Sequence, residues 1–331
     1  VLGFLKFLRS DQEKRYIRGA FSRYVSSNVV DKIVASPDQL KLEGEEKEVS
    51  ILFSDIRGFT TMSEKLSPDQ VSALLKSYLT PMTRTVIEHN GTLDKFIGDA
   101  VMAFWNAPVE VPNHRFHAVS TGLAMLEALP ELNREFAEEY GLTIQIGIGI
   151  HAGRASVGNM GSEDLFDYTV IGDNVNLASR LEGLTKFYGV PIIVSNALQD
   201  VQVAGYTRQE LDKVTVIGKE EPVTLFTLRK EELLEQEELD CWQAALELSR
   251  KRSFQLVISE LDGLIQRCPD ILVYRIYRER CSAFQENPPG DEWQCVYSHE
   301  TKYRKPRIEV VQRIQNMIKY MQRTLLKRTT K

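Results

Sequence analysis

The chain has 331 residues, 43% of them apolar, which is enough to bury one large or two modest cores. Its formal net charge of −5 argues against bulk binding to nucleic acid, and we expect no nucleic-acid partner. The four cysteines lie in the last third of the chain, and no two are spaced as a CxxC metal or redox motif. No apolar run reaches the roughly 20 residues that cross a bilayer. The composition predicts a globular chain from a reducing compartment.

Residues 1–47 predict a helical transducer or linker. The opening VLGFLKFL is either the end of a membrane-spanning helix or an ordinary amphipathic start, and both interpretations stay open. Apolar residues then recur at helical spacing between Lys14 and Val34, with a capping signal at residues 26–28, which predicts two short helices. The charged stretch KLEGEEKE, residues 41–48, is expected to separate these helices from the first strand.

Residues 48–230 predict a domain in which strands and helices alternate. The strand VSILFSD precedes a helix that Ser67-Pro68 opens, with Gln70 completing a capping box, and that ends at Asn90-Gly91. A hairpin, a helix from about His114 to Tyr140 and the strand LTIQIGIGIHAG complete a βαββαβ order. We therefore expect an α+β fold. It would have a ferredoxin-like βαββαβ core, an antiparallel-containing sheet with helices on one face, and extra strands.

The rest of the chain predicts two further segments. Strand signals vanish from about residue 233, so residues 231–299 are expected to form a helical C-terminal module. Residues 300–331 predict a basic helical tail with ten Lys or Arg against two Glu, a net +8 that leaves −13 on the rest of the chain. The tail either lies on anionic lipid or packs its apolar stripe on a neighbouring element.

Two aspartates are candidate metal ligands. Asp55 ends a strongly β-forming strand, where a buried carboxylate needs a partner or a metal to offset its desolvation; capping the following turn is the alternative. Asp99 lies in a hairpin turn that a βαββ order brings beside this strand end. Two such carboxylates can hold two divalent ions about 3.5–4 Å apart. The alternative for Asp99 is a cross-strand ion pair with Lys95, worth little if it is exposed.

Four motifs together resemble the catalytic domain of class III nucleotidyl cyclases, the adenylyl and guanylyl cyclases. The motifs, in chain order, are FSDIRGFT, GTLDKFIGDAVMAFWNAP, GIHAGRASVGNMGS and YTVIGDNVNLASRLEGLTK. The resemblance covers about residues 48–230. The segment RYIRGAFSRYVSSNVVDKI and the helices after residue 233 are similar to bacterial membrane-anchored cyclases. That similarity implies an upstream sensor, transmembrane helices and a cytoplasmic catalytic portion of an inner-membrane protein.

The resemblance implies two Mg²⁺ or Mn²⁺ ions in each active site. Asp55 and Asp99 would bind them, assisted by the backbone carbonyl of Ile56. One ion would activate the ribose 3′-hydroxyl of ATP, and the other would hold the β- and γ-phosphates. The turn IRGFT, residues 56–60, is also the kind of strand-to-helix turn whose backbone amides point at a phosphate.

The same resemblance implies the residues that hold the nucleotide. Lys95 and Thr169 would contact the adenine edge, and a Thr at this position marks a large bacterial subclass. Asn176 and Arg180, four apart on one helix face, would orient the ribose and stabilise the charged α-phosphate in the transition state. The resemblance also implies that Arg154 and Lys219 hold the pyrophosphate. Gly58, Phe59 and Thr60 are candidate substrate contacts because they belong to the strand-to-helix turn.

The expected activity is an adenylyl cyclase that converts ATP into 3′,5′-cyclic AMP and pyrophosphate as a homodimer. The two aspartates would act from one protomer, and the base, ribose and α-phosphate residues from the other. Cyclisation needs metals, a guanidinium and positioning more than a strong base, and His151 at a strand end is more typical of a structural residue. A guanylyl cyclase is the alternative enzyme, although Lys95 cannot accept from guanine N1–H. A silent cyclase-like module for nucleotide sensing or dimerisation is the alternative outside enzymes.

Overall fold

The computed structural model describes residues 44–162, 166–216, 221–290 and 292–299. The helices expected before residue 40, Lys219 and the basic tail therefore lie outside the described residues. In the described part, nine strands form one mixed sheet. The strands are β1 (Gly44–Ile56), β2 (Thr92–Ile97), β3 (Ala100–Trp105), β4 (Ile146–Gly161), β5 (Phe166–Ile171), β6 (Ile192–Ser195), β7 (Tyr206–Val216), β8 (Val223–Lys230) and β9 (Tyr297–His299).

Helices cover the sheet. They are α1 (Phe59–Ser63), α2 (Pro68–Glu88), α3 (His114–Tyr140), α4 (Asp173–Tyr188), α5 (Gln236–Arg250), α6 (Phe254–Arg267) and α7 (Leu272–Glu286). None of the helices in the described part of the chain is both long enough and apolar enough to cross a membrane.

The central strand β1 pairs antiparallel with β3 on one side and with β4 on the other. The sheet order is β2-β3-β1-β4-β6-β8-β7-β9, and β5 pairs with the later part of β4. The first four strands with α2 and α3 reproduce the antiparallel order of a βαββαβ core, so the expected α+β fold is confirmed.

Helices lie on both faces of this sheet, which corrects the expectation of one covered face. Side chains alternate along β1, so Leu52 joins the apolar cluster under α2 and α3 while Phe53 joins the cluster on the other face. Ala178 of α4 belongs to that second cluster. A side chain at Gly149 of β4 would meet the backbone of α4, since its Cβ would lie 2.1 Å from the Glu182 nitrogen. This glycine therefore permits the close helix–sheet contact.

The capping box of α2 is confirmed. The Gln70 backbone N–H donates to Ser67 Oγ over 3.3 Å, and the Ser67 N–H donates to Gln70 Oε1 over 2.9 Å. Behind this cap, residues at helical spacing turn one face of α2 into the core. The buried residues are Leu74, Tyr78, Met82 and Val86.

Two sequence expectations about element ends are wrong. Residues 44–48 of the acidic stretch belong to β1, where they pair with residues 154–158 of β4 instead of separating two segments. Beyond residue 233 a strand does occur, because β9 pairs in parallel with β7. Three residues are too few to show a strand period in a sequence.

The expected helices of residues 231–299 are present as α5, α6 and α7, and they pack on the sheet. One apolar cluster joins Leu181 of α4 and Leu225 of β8 to Trp242, Leu261 and Tyr277 of these three helices. The module thus shares its core with the helix that carries Asn176 and Arg180. The division of the chain at residues 47, 230 and 299 stays a prediction.

Candidate active site

The structure brings Asp55 and Asp99 together at one end of the central strands. Asp55 is the penultimate residue of β1, and Asp99 follows Gly98, whose φ of 68° makes the tight turn between β2 and β3. The Ile56 backbone N–H donates to Asp99 Oδ2 over 3.1 Å and so fixes the hairpin tip beside the strand end. The expected meeting of the two carboxylates is therefore present in the geometry.

The pKa of Asp55 is raised by burial and by the neighbouring Asp99 carboxylate. Burial is the main cause, followed by a hydrogen bond with Asp99 and by the Asp99 charge, and together they raise the pKa of Asp55 to about 7. The Ile56 backbone amide acts in the opposite direction. A site that makes a carboxylate this hard to ionise is one where a bound cation would restore the charged form.

Lys95 does not neutralise this pair. Its Nζ lies 3.4 Å from Asp94 Oδ1 and 3.6 Å from Asp167 Oδ2. The alternative in which Lys95 and Asp99 form a cross-strand ion pair is thus not found among the described ion pairs. Lys95 instead pairs with Asp94 of its own strand, β2, and with Asp167 of β5.

A third carboxylate, Glu182 of α4, lies near the pair and was missed by the sequence interpretation. Burial and, to a smaller extent, the charges of Asp55 and Asp99 together raise the pKa of Glu182 to about 7, against the opposing effect of the Arg57 guanidinium. Arg57 is itself held by a hydrogen bond from Nη2 to the Val190 carbonyl. The sequence signal was weak, because Glu182 stands two residues after Arg180 on a charged helix.

The donors fit a hard divalent cation. In the described part of the chain, no three His, Cys, Asp or Glu side chains lie close enough together to hold a metal. Two adjacent carboxylates suit Mg²⁺, which binds through one or two carboxylates, keeps waters and takes substrate phosphates to complete its shell. The raised pKa of Asp55 is consistent with a cation site, because two carboxylates held close together without a cation make each other harder to ionise.

The two expected base-contacting residues meet through Asp94. Thr169 of β5 donates from Oγ1 to Asp94 Oδ2 over 2.6 Å, and Lys95 approaches the other oxygen of the same carboxylate. The Asp94 side chain is fully buried, whereas the Lys95 side chain is 38% exposed. Asp94 was not singled out from the sequence, because only the fold brings β2 and β5 into contact.

Asn176 and Arg180 lie on the outer face of α4. Ala178 and Glu182 turn toward β4, and a residue two positions away in a helix lies on roughly the opposite side, because each residue turns about 100°. In the described part of the chain, neither the Asn176 nor the Arg180 side chain has an ion pair or hydrogen bond. Within one protomer these two side chains therefore point away from the Asp55 carboxylate.

Four of the other expected substrate contacts lie in the described part of the chain, one on β4 and three at the turn after β1. Arg154 is 75% exposed, with Nη1 3.5 Å from Glu46 Oε2. Gly58 has φ 69° and precedes α1, whose first turn has no side-chain cap; Phe59 and Thr60 are its first two residues. Their contact with phosphate stays a prediction, as does that of Lys219.

His151 is a structural residue in this fold. It is 7% exposed, and its Nδ1 lies 2.6 Å from Ser195 Oγ. Its Nε2 lies 3.1 Å from Asn174 Oδ1, and Asn174 Nδ2 donates to the Arg154 carbonyl. The imidazole thereby ties β4 to β6 and to the first turn of α4.

Comparisons with known proteins place this architecture in a family. Residues 43–229 match the model of the adenylate and guanylate cyclase catalytic domain, and the chain belongs to that family. Adenylate cyclase 1 of Rhizobium meliloti (strain 1021) is 39% identical over 178 residues, which are 54% of this chain and 27% of that protein. The adenylate cyclase of Anabaena cylindrica is 32% identical over 226 residues, 66% of this chain and 43% of that protein. The chain thus spans less than half the length of either relative.

Solved structures show the same fold. The adenylyl cyclase CyaB from P. aeruginosa is 33% identical with a TM-score of 0.54, and the match covers 57% of this chain and 97% of that chain. A bacterial light-regulated adenylyl cyclase is 27% identical with a TM-score of 0.56, covering 71% of this chain and 66% of that chain. The resemblance to class III nucleotidyl cyclases is therefore confirmed, whereas the Thr-bearing subclass stays a prediction.

Proposed function

We propose that this chain is the catalytic portion of an adenylyl cyclase that converts ATP into 3′,5′-cyclic AMP and pyrophosphate. The observation that carries the proposal is the paired Asp55 and Asp99 carboxylates, which lie at a strand end with a raised Asp55 pKa and no cationic partner for either side chain among the described ion pairs. The named adenylate cyclase relatives support ATP as the substrate.

The proposed chemistry is attack of the ribose 3′-hydroxyl on the α-phosphate, with pyrophosphate leaving. Divalent ions would supply charge neutralisation and activation of the hydroxyl when bound, and Mg²⁺ or Mn²⁺, two per site, is the proposed set. Asp55 and Asp99 would hold them, with the Ile56 carbonyl assisting. Arg180 would offset the charge that develops on the α-phosphate oxygens, and Asn176 would orient the ribose. Lys95 and Thr169 would hold the adenine edge.

We also propose that two protomers build each site. The outward direction of Asn176 and Arg180 supports this, because neither side chain is turned toward Asp55 of its own chain. Exposed apolar groups favour burial against a partner. Exposed apolar side chains on β2, which carries Lys95, and on β5, which precedes α4, therefore also support a two-protomer site. They are Phe96 (44% exposed) and Ile97 (55%) beside the hairpin turn, and Phe166 (37%) and Ile171 (50%) on β5.

Mixing two inactive proteins tests both proposals at once. Asp55→Ala and Arg180→Ala homodimers should each lack activity at both of their sites. After random subunit exchange about half of the dimers are mixed, and each mixed dimer has one intact site of two, so about a quarter of wild-type cyclic AMP formation should return. The measurement is cyclic AMP formed from ATP with Mg²⁺ or Mn²⁺ after exchange.

A matched mixture provides the control. Asp55→Ala and Asp99→Ala carry their lesions in the same half of the site, so every mixed dimer keeps one lesion in each of its sites and no activity should return. Rescue only in the first mixture supports the shared site. Absence of rescue in both mixtures contradicts it, and GTP turnover in place of ATP turnover would indicate a guanylyl cyclase.

The upstream sensor, the membrane anchor and the cytoplasmic side of an inner membrane remain proposals that the resemblance alone supports. Residues 14–34 would couple that sensor to the catalytic dimer by changing how its halves align.

A further inference from the structure

We propose that Asp94 is a positioning residue for base selection, which fixes the Thr169 hydroxyl as a hydrogen-bond acceptor and so favours the amine of adenine over the carbonyl of guanine. This inference rests on the proposed function, in which Lys95 and Thr169 contact the purine.

The hydrogen bond between Thr169 and Asp94 has a fixed direction. A hydroxyl has one hydrogen to donate and two lone pairs, and an ionised carboxylate can only accept. Thr169 Oγ1 donates to Asp94 Oδ2 over 2.6 Å, so its single hydrogen is committed. Only lone pairs remain for a ligand, and Thr169 therefore presents an acceptor to the base.

The same carboxylate also positions Lys95. Its Oδ1 lies 3.4 Å from Lys95 Nζ, so one buried side chain orients both residues that would read the base. Burial is the largest cause and raises the pKa of Asp94 above its ordinary value, although the Thr169 hydrogen bond, the Lys95 charge and the Val170 amide oppose it. The contacts support the direction of the hydrogen bond, because the Lys95 ammonium beside Oδ1 and the Thr169 hydroxyl on Oδ2 both face this carboxylate as donors.

The resulting pattern matches adenine. At its Watson–Crick edge adenine offers the N6 amine as a donor and N1 as an acceptor, which suit the Thr169 lone pairs and the Lys95 ammonium. Guanine offers the O6 carbonyl and N1–H, so its O6 would face the Thr169 lone pairs and its N1–H would face the ammonium. Unpaired polar groups in a closed site are costly, so the mismatch selects against guanine.

Asp94→Asn is the informative substitution, because it keeps the shape and changes the donor pattern. An Asn beside Lys95 would turn its amide oxygen toward the ammonium and its NH₂ toward Thr169. Thr169 would then accept from Asn and be free to donate to the base. We expect the ratio of kcat/KM for ATP to that for GTP to fall about 10-fold. A merely structural role would lower both values equally and leave the ratio unchanged.

Asp167→Asn is the matched control. The Asp167 carboxylate lies 3.6 Å from the same Lys95 Nζ and is 75% exposed, and no hydrogen bond to Thr169 is found for it among the described residues. The ATP to GTP ratio should change less than about two-fold in this variant. An equal fall of the ratio in Asp94→Asn and Asp167→Asn would assign the effect to Lys95 and overturn the role of Thr169 polarity.

A substrate series tests the 6-amine directly. Purine riboside triphosphate lacks that amine, and the wild type should use it about 10-fold less well than ATP. In Thr169→Val and in Asp94→Asn, the difference between the kcat/KM values for ATP and for this analogue should shrink to within about two-fold. The double variant should show no further change in that difference. A difference that persists in Asp94→Asn overturns the proposal.

If Asp94→Asn does not fold, Asp94→Ala removes the acceptor without adding a donor. Failure of both variants to fold would make Asp94 a structural residue.

Nucleotide binding separates this inference from the proposed function. Displacement of a fluorescent ATP analogue by ATP or GTP reports base preference without turnover. If the wild type binds ATP over GTP but forms no cyclic AMP with Mg²⁺ or Mn²⁺, the proposed function fails, and the variants still test Asp94 by binding. If the wild type forms cyclic AMP and Asp94→Asn keeps its ATP preference in both assays, only the Asp94 inference fails.

Discussion

Two aspartates in this molecule, Asp55 and Asp212, have opposite electrostatic surroundings. Asp55 lies at the end of β1 beside a second carboxylate, and its pKa is raised to about 7 by burial and by Asp99. Asp212 of β7 is 2% exposed, yet Arg280 Nη2 lies 2.8 Å from its Oδ2. Tyr188 OH donates to Oδ2 and Tyr277 OH donates to Oδ1, each over 2.6 Å.

The comparison contrasts a carboxylate that is fully paired within the fold with two that are proposed to bind a metal. Asp212 is the more deeply buried, but a guanidinium and two hydroxyls satisfy its charge, so the cluster fastens β7, α4 and α7 to each other. The carboxylates of Asp55 and Asp99 are only partly buried, and the described ion pairs give neither a cationic partner. Negative charge without a cationic partner is costly in a folded protein, and such charge clusters where a bound ligand offsets it. The Asp55 and Asp99 carboxylates fit this description.

Loss of the Asp99 charge is expected to abolish most of the proposed activity. Asp99→Asn should lower cyclic AMP formation at least about 1,000-fold, because it removes a charged ligand from the proposed metal site. The fold should persist, since the Asn oxygen can still accept from the Ile56 N–H. Asp270→Asn, at an exposed position, is the control and should keep full activity. Comparable activity in both variants would remove Asp99 from the metal site.

Loss of the Arg280 guanidinium is expected to destabilise the fold around Asp212. Arg280→Met should lower the free energy of unfolding by about 3 kcal/mol, because it leaves the Asp212 carboxylate buried without its cation. Arg280 also covers the rings of Tyr277 and Tyr297, at 4.6 and 3.9 Å from their centroids. Denaturant unfolding measures the change. A loss below 1 kcal/mol would mean that the two tyrosine hydroxyls suffice for Asp212.

Arg278 provides the matched control on the same helix. It pairs with Asp262, but both side chains are partly exposed to solvent, at 40% and 46%. Arg278→Met should therefore cost less than about 1 kcal/mol. Asp212→Asn combined with Arg280→Met should cost less than the sum of the two single changes, because the pair is removed together.

Much of the catalytic side was predictable from the sequence. The order of elements, the capping box at Ser67 and the meeting of Asp55 with Asp99 follow from hydrophobic period and from hairpin geometry. The family motifs add residue roles that spacing alone does not give. These features can be predicted from the sequence because each lies within one element or at its end.

What the sequence did not predict depends on contacts between distant elements. Glu182 and Asp94 look like ordinary surface charges until α4 and β5 fold against the early strands. The acidic stretch at residues 44–48 resembles a linker, yet pairing with β4 makes it a strand, with Arg154 beside Glu46 and Arg115 beside Glu48. Tertiary pairing overrides local propensity in such cases.

The raised pKa of Asp55 predicts that ionisation of this carboxylate lowers the stability of the folded protein. The folded-state pKa of Asp55, about 7, lies above the usual value near 4, so the folded protein binds this proton more tightly than the unfolded chain. The group therefore contributes its stability below about pH 4, and that contribution is lost as pH rises to about 7. Asp55→Asn, which stays neutral, should be more stable than wild type above pH 7 by on the order of 1 kcal/mol, a discounted figure because solvent screens a half-buried carboxylate.

Unfolding curves of wild type and Asp55→Asn between pH 4 and 8, without divalent ions, measure this difference. The two curves should nearly coincide at pH 4 and separate as the carboxylate ionises. Added Mn²⁺ should stabilise the wild type and leave Asp55→Asn unchanged, because only the wild type then has both charged ligands. A stability difference that stays constant from pH 4 to 8 would show that Asp55 ionises without conflict. Its surroundings would then resemble those of Asp212, and the electrostatic argument for a metal site would be lost.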